Sequence, residues 1–252
     1  MQPTTRQLQE RGLAEIRKRG HQLIIGVDEV GYGCIAGPVT VCAAVAYADW
    51  NHPQVMDSKK LERPQHVRLV KEVLLPPAVP FHVIMNHSSM VIDYIGVIRA
   101  RDDLVRKTIE ACRVLYPDAL AVMDGSSLPS DVQNVICMPK ADNLVKAVSA
   151  ASILAKADRD ELMILAADEY KNYGFHTNVG YGTDQHMAGL QRWGPCPIHR
   201  FSYRNVQEVA AKFGMNGTAS SKPSQTKTQP GKILGWRQPP RGMRVSTSSR
   251  KL

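Results

Sequence analysis

Apolar residues along the 252-residue chain form two kinds of pattern. Short β-branched runs bounded by Gly, Pro, Asn or Asp are typical of strands, and apolar positions that recur every three or four residues are typical of one helix face. The short runs predict strands at 23–28, 39–45, 81–85, 119–123 and 132–138. Strands separated by helical segments indicate a layered α/β fold.

The helical spacing predicts helices at 63–75, 92–115, 144–167, 183–193 and 203–213. Pro76 and Pro77 end the first of these, because proline cannot continue a helix. Asp142 and Asn143 stand just before the longest one and are good N-cap residue types. A polar, glycine-rich loop is expected over 172–182, and residues 1–20 are interpreted as either a short amphipathic helix or a flexible lead-in.

The net charge of +9 is placed unevenly along the chain. Residues 214–252 contain eight Lys and Arg and no Asp or Glu, and +9 less +8 leaves about +1 for residues 1–213. This segment is rich in Ser, Thr, Pro, Gly and Gln, a composition typical of disorder. We therefore expect a lead-in at 1–20, a folded domain at 21–213 and a basic disordered tail, which either attracts phosphates or only aids solubility.

The cysteines bear on where the protein works. There are five, an odd number, and none forms a CxxC pair: Cys34, Cys42, Cys112, Cys137 and Cys196. This pattern favours reduced thiols over a disulfide framework or a zinc site. With no secretory h-region and no apolar run of bilayer length, we expect a cytoplasmic protein. A monomer is the simplest expectation.

Four carboxylates occupy positions where sites commonly form. Asp28 and Glu29 follow an apolar run, Asp124 ends another, and Asp142 precedes the longest helix. Taken singly, Asp28-Glu29 is more simply a solvated turn and Asp142 an N-cap. Strand ends and helix starts gather at one edge of an open α/β sheet, however. Together the four could hold two Mg²⁺ or Mn²⁺ ions, which can promote phosphodiester cleavage.

Short segments around these acids occur in a characteristic order. They are GVDEVGYGCIAGPV (26–39), DSKKL (57–61), MDG (123–125), KAD (140–142), SAASILAK (149–156), RD (159–160), YGF (173–175), GYGT (180–183) and GPCPIHR (194–200). In this set and this order, residues 23–203 closely resemble the ribonuclease HII family.

The resemblance implies an RNase H-like fold, with a central mixed sheet flanked by helices and a C-terminal helical extension. It implies Mg²⁺ or Mn²⁺ as cofactor, and RNA/DNA hybrid or ribonucleotide-containing DNA duplex as substrate, cut 5′ of a ribonucleotide to leave 3′-hydroxyl and 5′-phosphate ends. It makes four acids catalytic metal ligands: Asp28, Glu29, Asp124 and Asp142. The nucleic-acid contacts that it implies are Gly31, Tyr32, Gly33, Ser58, Lys59, Lys60, Lys156 and Tyr181. Tyr181 would stack on the deoxyribose that follows the ribonucleotide.

Two positions depart from the family pattern. Tyr32 stands where the family usually has arginine, and Val179 stands where lysine is common, so two phosphate contacts are lost. Within the long helix, Lys156 either contacts the substrate or pairs with Asp160. Arg159 and Asp160 are interpreted as an ion pair.

Two other functions stay open beside the endoribonuclease. One is a catalytically weak protein that binds hybrid duplexes, and the other is a different nuclease of the same fold. Retention of all four acids favours an enzyme, because clustered negative charge that faces phosphates does not help a protein that only binds nucleic acid.

Overall fold

The computed structural model describes residues 3–55, 70 and 78–215. Its centre is a five-stranded sheet in the order β3-β2-β1-β4-β5. The strands are β1 (Leu23–Val30), β2 (Val39–Tyr47), β3 (Phe81–His87), β4 (Leu120–Asp124) and β5 (Val135–Met138). β1, β2 and β3 are antiparallel neighbours, whereas β1–β4 and β4–β5 are parallel. The predicted mixed sheet is confirmed.

Helices cover both faces of this sheet. They are α1 (Thr5–Arg19), α2 (Ser89–Ile95), α3 (Val97–Leu115), α4 (Lys146–Glu169), α5 (Phe175–Asn178), α6 (Asp184–Trp193) and α7 (Arg204–Lys212), with 3₁₀ turns at Ala141–Asn143 and Lys171–Tyr173. Of the two interpretations of residues 1–20, the helix is observed. Thr4 begins it with a capping box and Gly20 ends it in the left-handed conformation. In the part of the chain described, no helix is long and apolar enough to cross a membrane.

Alternation along β1 divides the core into two layers, because neighbouring side chains of a strand point to opposite faces. Ile25 and Val27 pack with α3, and Ile24 lies in the layer beneath α4. Gly26 allows α4 to approach very closely, since a Cβ placed there would lie 2.0 Å from the carbonyl carbon of Ala147. The start of α4 is therefore fixed directly against the middle of β1.

Three predicted elements differ from the structure. The loop expected over 172–182 contains the end of a 3₁₀ turn and the short helix α5. The single helix expected at 92–115 is two helices, α2 and α3, that meet at Gly96 (φ 85°, ψ 148°), a conformation outside the helical region. The apolar spacing continues across this glycine, so periodicity does not reveal the break. The strand expected at 132–138 begins only at Val135, after Asn134 with a φ of 56°. The predicted helix at 63–75 and the basic tail lie outside the described residues, apart from residues 70 and 214–215.

Candidate metal centre and nucleic-acid interface

Three of the four predicted carboxylates meet at one edge of the sheet. Val27 of β1 pairs with Met123 of the parallel strand β4, so Asp28 and Asp124 follow at the same level on adjacent strands. Asp142 lies in the 3₁₀ turn between β5 and α4. One carboxylate oxygen from each of the three acids lies within 4.8 Å of the other two. The strand ends and the start of the long helix thus build one acidic site, as the sequence predicted.

Neighbouring groups hold these acids in place. The backbone N–H of Glu29 donates to Asp28 Oδ1 at 2.8 Å, and that of Ala141 donates to Asp124 Oδ1 at 2.7 Å. The backbone carbonyl of Asp142 accepts a hydrogen bond from Ser149 Oγ of α4 at 2.5 Å. Backbone and helix contacts therefore orient the site.

The raised pKa of Asp28 indicates that a cation would stabilise the carboxylates of this site. Burial raises the pKa of Asp28 well above its ordinary value, a hydrogen bond from Ser152 opposes this, and the charges of Glu29 and Asp124 raise it further. Crowded carboxylates of this kind are stabilised by a cation. An oxygen-only donor set suits hard divalent ions such as Mg²⁺ or Mn²⁺. The residues present therefore fit a divalent metal ion.

Glu29 does not belong to this group of three. It follows Asp28 on β1, and strand alternation directs its side chain to the other face of the sheet. The structure therefore brings together Asp28, Asp124 and Asp142, and metal binding by Glu29 stays a prediction.

The loop after β1 is shaped by a buried arginine far away in the sequence. Arg200 is fully buried; its Nη2 donates to the carbonyl of Gly31 at 2.6 Å and its Nη1 to that of Tyr32 at 2.9 Å. In a trans peptide the N–H points opposite to the carbonyl. With these two carbonyls turned towards Arg200, the N–H groups of Tyr32 and Gly33 are turned away from it. Both residues are exposed, so the two donors lie on the outer side of the loop.

A second buried arginine supports the same region. Arg159 of α4 donates through Nε to Pro38 O at 2.9 Å, through Nη1 to Val179 O at 2.8 Å and through Nη2 to Ala36 O at 3.2 Å. The predicted ion pair with Asp160 does not account for Arg159, because all three of its side-chain nitrogens donate to backbone carbonyls. Sequence reasoning missed this role, and the signal for it was a basic residue between Ala155 and Met163 on one helix face.

Tyr181 lies beside the loop, as the nucleic-acid assignment requires. Ile35 N–H donates to Gly180 O at 3.0 Å, which joins the two segments. The Tyr181 side chain is hydrogen-bonded to Cys34, and burial together with Cys34 raises the pKa of Tyr181 to about 12. Its residue exposure is 39%, so part of the ring faces solvent.

Of the two roles predicted for Lys156, the ion pair with Asp160 is observed. Its Nζ lies 2.8 Å from Asp160 Oδ1 and 5.6 Å from the centre of the Tyr181 ring. It therefore lies next to the Tyr181 ring as well as in an ion pair. The other predicted contacts, Ser58, Lys59 and Lys60, lie outside the described residues.

Comparison with known proteins identifies the family and the fold of this chain. A family model described as "Ribonuclease HII" matches residues 25–206. The ribonuclease HII of Rhizobium leguminosarum bv. trifolii is 37% identical over 198 residues, which cover 77% of this chain and 82% of the relative. Ribonuclease H2 from Pyrococcus horikoshii has a TM-score of 0.61 at 23% identity, over 77% of this chain and 100% of that chain. Bst-RNase HIII, solved in complex with Mn²⁺, has a TM-score of 0.53 at 19% identity, over 78% of this chain and 71% of that chain.

The likeness to these solved structures shows an RNase H-like fold. Fold, acidic site and relatives together define a metal-dependent endoribonuclease of the ribonuclease H class, with a divalent metal ion as cofactor. Within that class, the chain belongs to the ribonuclease HII family.

Proposed function

We propose that this endoribonuclease cuts 5′ of ribonucleotides embedded in duplex DNA and also hydrolyses the RNA strand of RNA/DNA hybrids, leaving 3′-hydroxyl and 5′-phosphate ends. The observation that carries the proposal is the position of the substrate-reading loops. One loop, at residues 31–38, directly follows the strand that carries Asp28, and it is hydrogen-bonded to the segment that carries Tyr181. Backbone N–H groups and an aromatic ring suited to contact a sugar are thus linked to the strand that carries Asp28, which supports the proposal.

In the proposed reaction, Asp28, Asp124 and Asp142 would hold the metal, with Glu29 as the fourth ligand that the family resemblance implies. Two divalent ions, when bound, supply an activated water and stabilise the leaving oxygen. The protein's own part is to hold the ligands. The N–H groups of Glu29 and Ala141 orient Asp28 and Asp124, and Ser149 ties the Asp142 backbone to α4.

Recognition of a ribonucleotide requires groups that detect the 2′-hydroxyl, since this group distinguishes RNA from DNA. The outward N–H groups of Tyr32 and Gly33 are donors suited to that hydroxyl or to the adjacent phosphate. Because these donors belong to the backbone, they survive the replacement of arginine by Tyr32. The partly exposed ring of Tyr181 provides a flat surface for the neighbouring deoxyribose. Lys156, beside this ring, is placed to attract the phosphate that follows.

The test uses three labelled duplexes: DNA with one ribonucleotide, a uniform RNA/DNA hybrid, and DNA alone. With Mg²⁺ or Mn²⁺ we expect a single cut 5′ of the ribonucleotide, cutting of the hybrid, and no cutting of DNA. Cutting of the hybrid alone would refute the junction activity and leave a hybrid-directed ribonuclease. Binding without cutting under either metal would favour the catalytically weak binder instead.

The monomeric state and the cytoplasmic location predicted from the sequence also belong to this proposal. Light scattering of the purified chain tests the first, and a mass near 27.9 kDa is expected. Imaging of the tagged full-length protein in cells tests the second.

A further inference from the structure

Two buried histidines, His186 and His199, have no part in the proposed chemistry. Their side chains connect the backbone of Cys196 to the backbone of Tyr181. His186 lies in the first turn of α6, and His199 lies in the segment that follows this helix. Both are fully buried, and their Nε2 atoms are 3.0 Å apart. The far nitrogen of His186, Nδ1, lies 2.8 Å from the carbonyl oxygen of Tyr181. The two rings thus form a continuous path to the backbone of the tyrosine.

The ends of this path determine which nitrogens carry protons. The backbone N–H of Cys196 donates to His199 Nδ1 at 2.9 Å, so that nitrogen is an acceptor. A neutral imidazole has one donor and one acceptor, so His199 carries its proton on Nε2 and donates it to His186 Nε2. His186 must then carry its own proton on Nδ1, from which it donates to Tyr181 O. Every polar atom along the path is satisfied by this single arrangement.

The arrangement requires both rings to be neutral. A second proton on His186 would place two N–H groups face to face across the 3.0 Å between the rings. Burial lowers the pKa of His186, and burial together with the nearby His186 lowers the pKa of His199 to about 3. Aromatic rings enclose the pair, with Tyr173 at 4.8 Å from the His199 ring and Phe175 at 5.0 Å from the His186 ring. Both rings are therefore packed against aromatic side chains in the protein interior.

The path ends at a strongly held part of the interface. The Tyr181 carbonyl accepts a second hydrogen bond from Thr183 N–H at 2.8 Å, while the Tyr181 side chain is hydrogen-bonded to Cys34. The backbone of Tyr181 is therefore fixed from the interior, and its ring is directed to the surface. A small rotation of this backbone would displace the ring, and recognition by stacking depends on ring position.

We propose that His186 and His199 are positioning residues that hold Tyr181 in the orientation needed to recognise the sugar at an RNA-to-DNA junction. The inference rests on the proposed function of Tyr181. It adds two residues that touch neither substrate nor metal and act only through the tyrosine.

The experiment measures junction preference, defined as kcat/KM on the single-ribonucleotide duplex divided by kcat/KM on the uniform hybrid. Tyr181→Ala sets the value without the ring. His186→Phe keeps an aromatic ring but loses the donor, and loss of one hydrogen bond predicts a fall of about threefold to tenfold. His186→Asn retains an amide donor near the Nδ1 position and should recover part of the loss. His176→Gln, at an exposed histidine two residues past Gly174, is the matched control.

A double variant separates positioning from general damage to the fold. If His186 acts through Tyr181, His186→Phe has no further effect on junction preference once Tyr181→Ala is present. Equal losses in both backgrounds would overturn the proposal, as would a preference in His186→Phe equal to that of the unchanged protein. An unaltered preference in Tyr181→Ala would instead refute the stacking role itself, and the positioning role would fall with it.

A measurement on the unchanged protein covers the case in which His186→Phe does not fold. Nitrogen-15 NMR of the imidazoles at pH 7 should show neutral His199 protonated at Nε2 and neutral His186 protonated at Nδ1. The opposite tautomer in either ring, or a charged ring, would overturn the proposed path.

Discussion

The Nη2 atom of Arg200 donates to the carbonyl oxygen of Gly31 at 2.6 Å, across 169 positions of sequence. The same side chain donates to the carbonyls of Tyr32, Gly37 and Pro38. A residue of the C-terminal segment therefore sets the conformation of the loop that follows β1. The outward direction of the loop's N–H groups depends on this long-range contact rather than on local sequence.

Replacing this arginine by lysine should destabilise the protein despite the retained charge. The guanidinium of Arg200 donates to four backbone carbonyls. In Arg200→Lys, the side chain has a single nitrogen, which cannot make all of these hydrogen bonds. Buried acceptors left unpaired cost about 1–3 kcal/mol each, so we expect a loss of about 2–4 kcal/mol in the free energy of unfolding. Urea denaturation measures it. Arg204→Lys, in an exposed pair with Glu208, is the control and should change the midpoint little. Equal midpoints for both variants would contradict the assigned role.

Gly26 should tolerate no side chain. Gly26→Ala would place a Cβ 2.0 Å from the backbone of Ala147, so β1 and α4 must separate. Overpacking against backbone predicts a loss of about 3 kcal/mol or more in unfolding free energy. Gly33→Ala is the matched control, because nothing lies within 4 Å of its added Cβ. Thermal unfolding of the two variants should differ clearly, and similar melting temperatures would disprove the close approach.

Restoring arginine at position 32 should strengthen binding of nucleic acid. Tyr32 is 39% exposed in the loop that follows β1, so Tyr32→Arg can be accommodated without repacking. One added phosphate contact should increase the magnitude of the slope of log affinity against log salt by about 1. Fluorescence anisotropy with a hybrid duplex at several salt concentrations measures this. Tyr47→Arg, at the end of β2 remote from the loop, should leave the slope much closer to its original value. If both variants alter the slope equally, the effect is only one of net charge.

The buried histidines should make the protein sensitive to acid. The folded-state pKa of His199 is lowered to about 3, below its unfolded value near 6.5, so the unfolded chain binds more protons between these limits. The stability that this neutral histidine contributes is therefore complete above pH 6.5 and is lost as the pH falls towards 3. The expected loss is on the order of a few kcal/mol. Urea midpoints between pH 7 and 4 should fall less steeply in His199→Gln than in the unchanged protein, and a parallel decline would contradict the lowered pKa.

Asp124 should be required for both metal binding and cleavage. Asp124→Asn removes one of three carboxylates that lie together, so we expect Mn²⁺ binding measured by calorimetry to weaken by tenfold or more and cleavage to fall by about a thousandfold. Asp168→Asn, at an exposed carboxylate near the end of α4, is the control. Near-normal turnover in Asp124→Asn would refute the site assignment.

The acidic site was predictable because its parts obey local rules. A carboxylate at the end of an apolar run and another before a long helix indicate the same sheet edge, and the structure confirms this for Asp28, Asp124 and Asp142. Glu29 was grouped with them from adjacency and family resemblance, whereas strand alternation separates it from Asp28 in the structure.

The supporting contacts could not be predicted from the sequence in the same way. Arg159 and Arg200 donate to backbone carbonyls. Every residue has such a carbonyl, so the sequence does not indicate which ones an arginine contacts. His186 and His199 are separated by a spacing that matches no ligand motif, and only the fold brings their rings to 3.0 Å. The break at Gly96 was hidden because the apolar positions on either side keep helical spacing.

The two buried guanidinium groups also bear on how the loop can function with a tyrosine at position 32. Arginine is a cation in proteins. Arg200 therefore places positive charge behind the outward N–H groups, and Arg159 places it against the carbonyls of Ala36 and Pro38 in the same loop. Both guanidinium groups are surrounded by protein of low dielectric constant. Mobile ions therefore screen their electric field far less than they screen the field of a surface lysine. The positive charge behind this loop therefore comes from the interior, and an exposed side chain at position 32 adds to it without creating it.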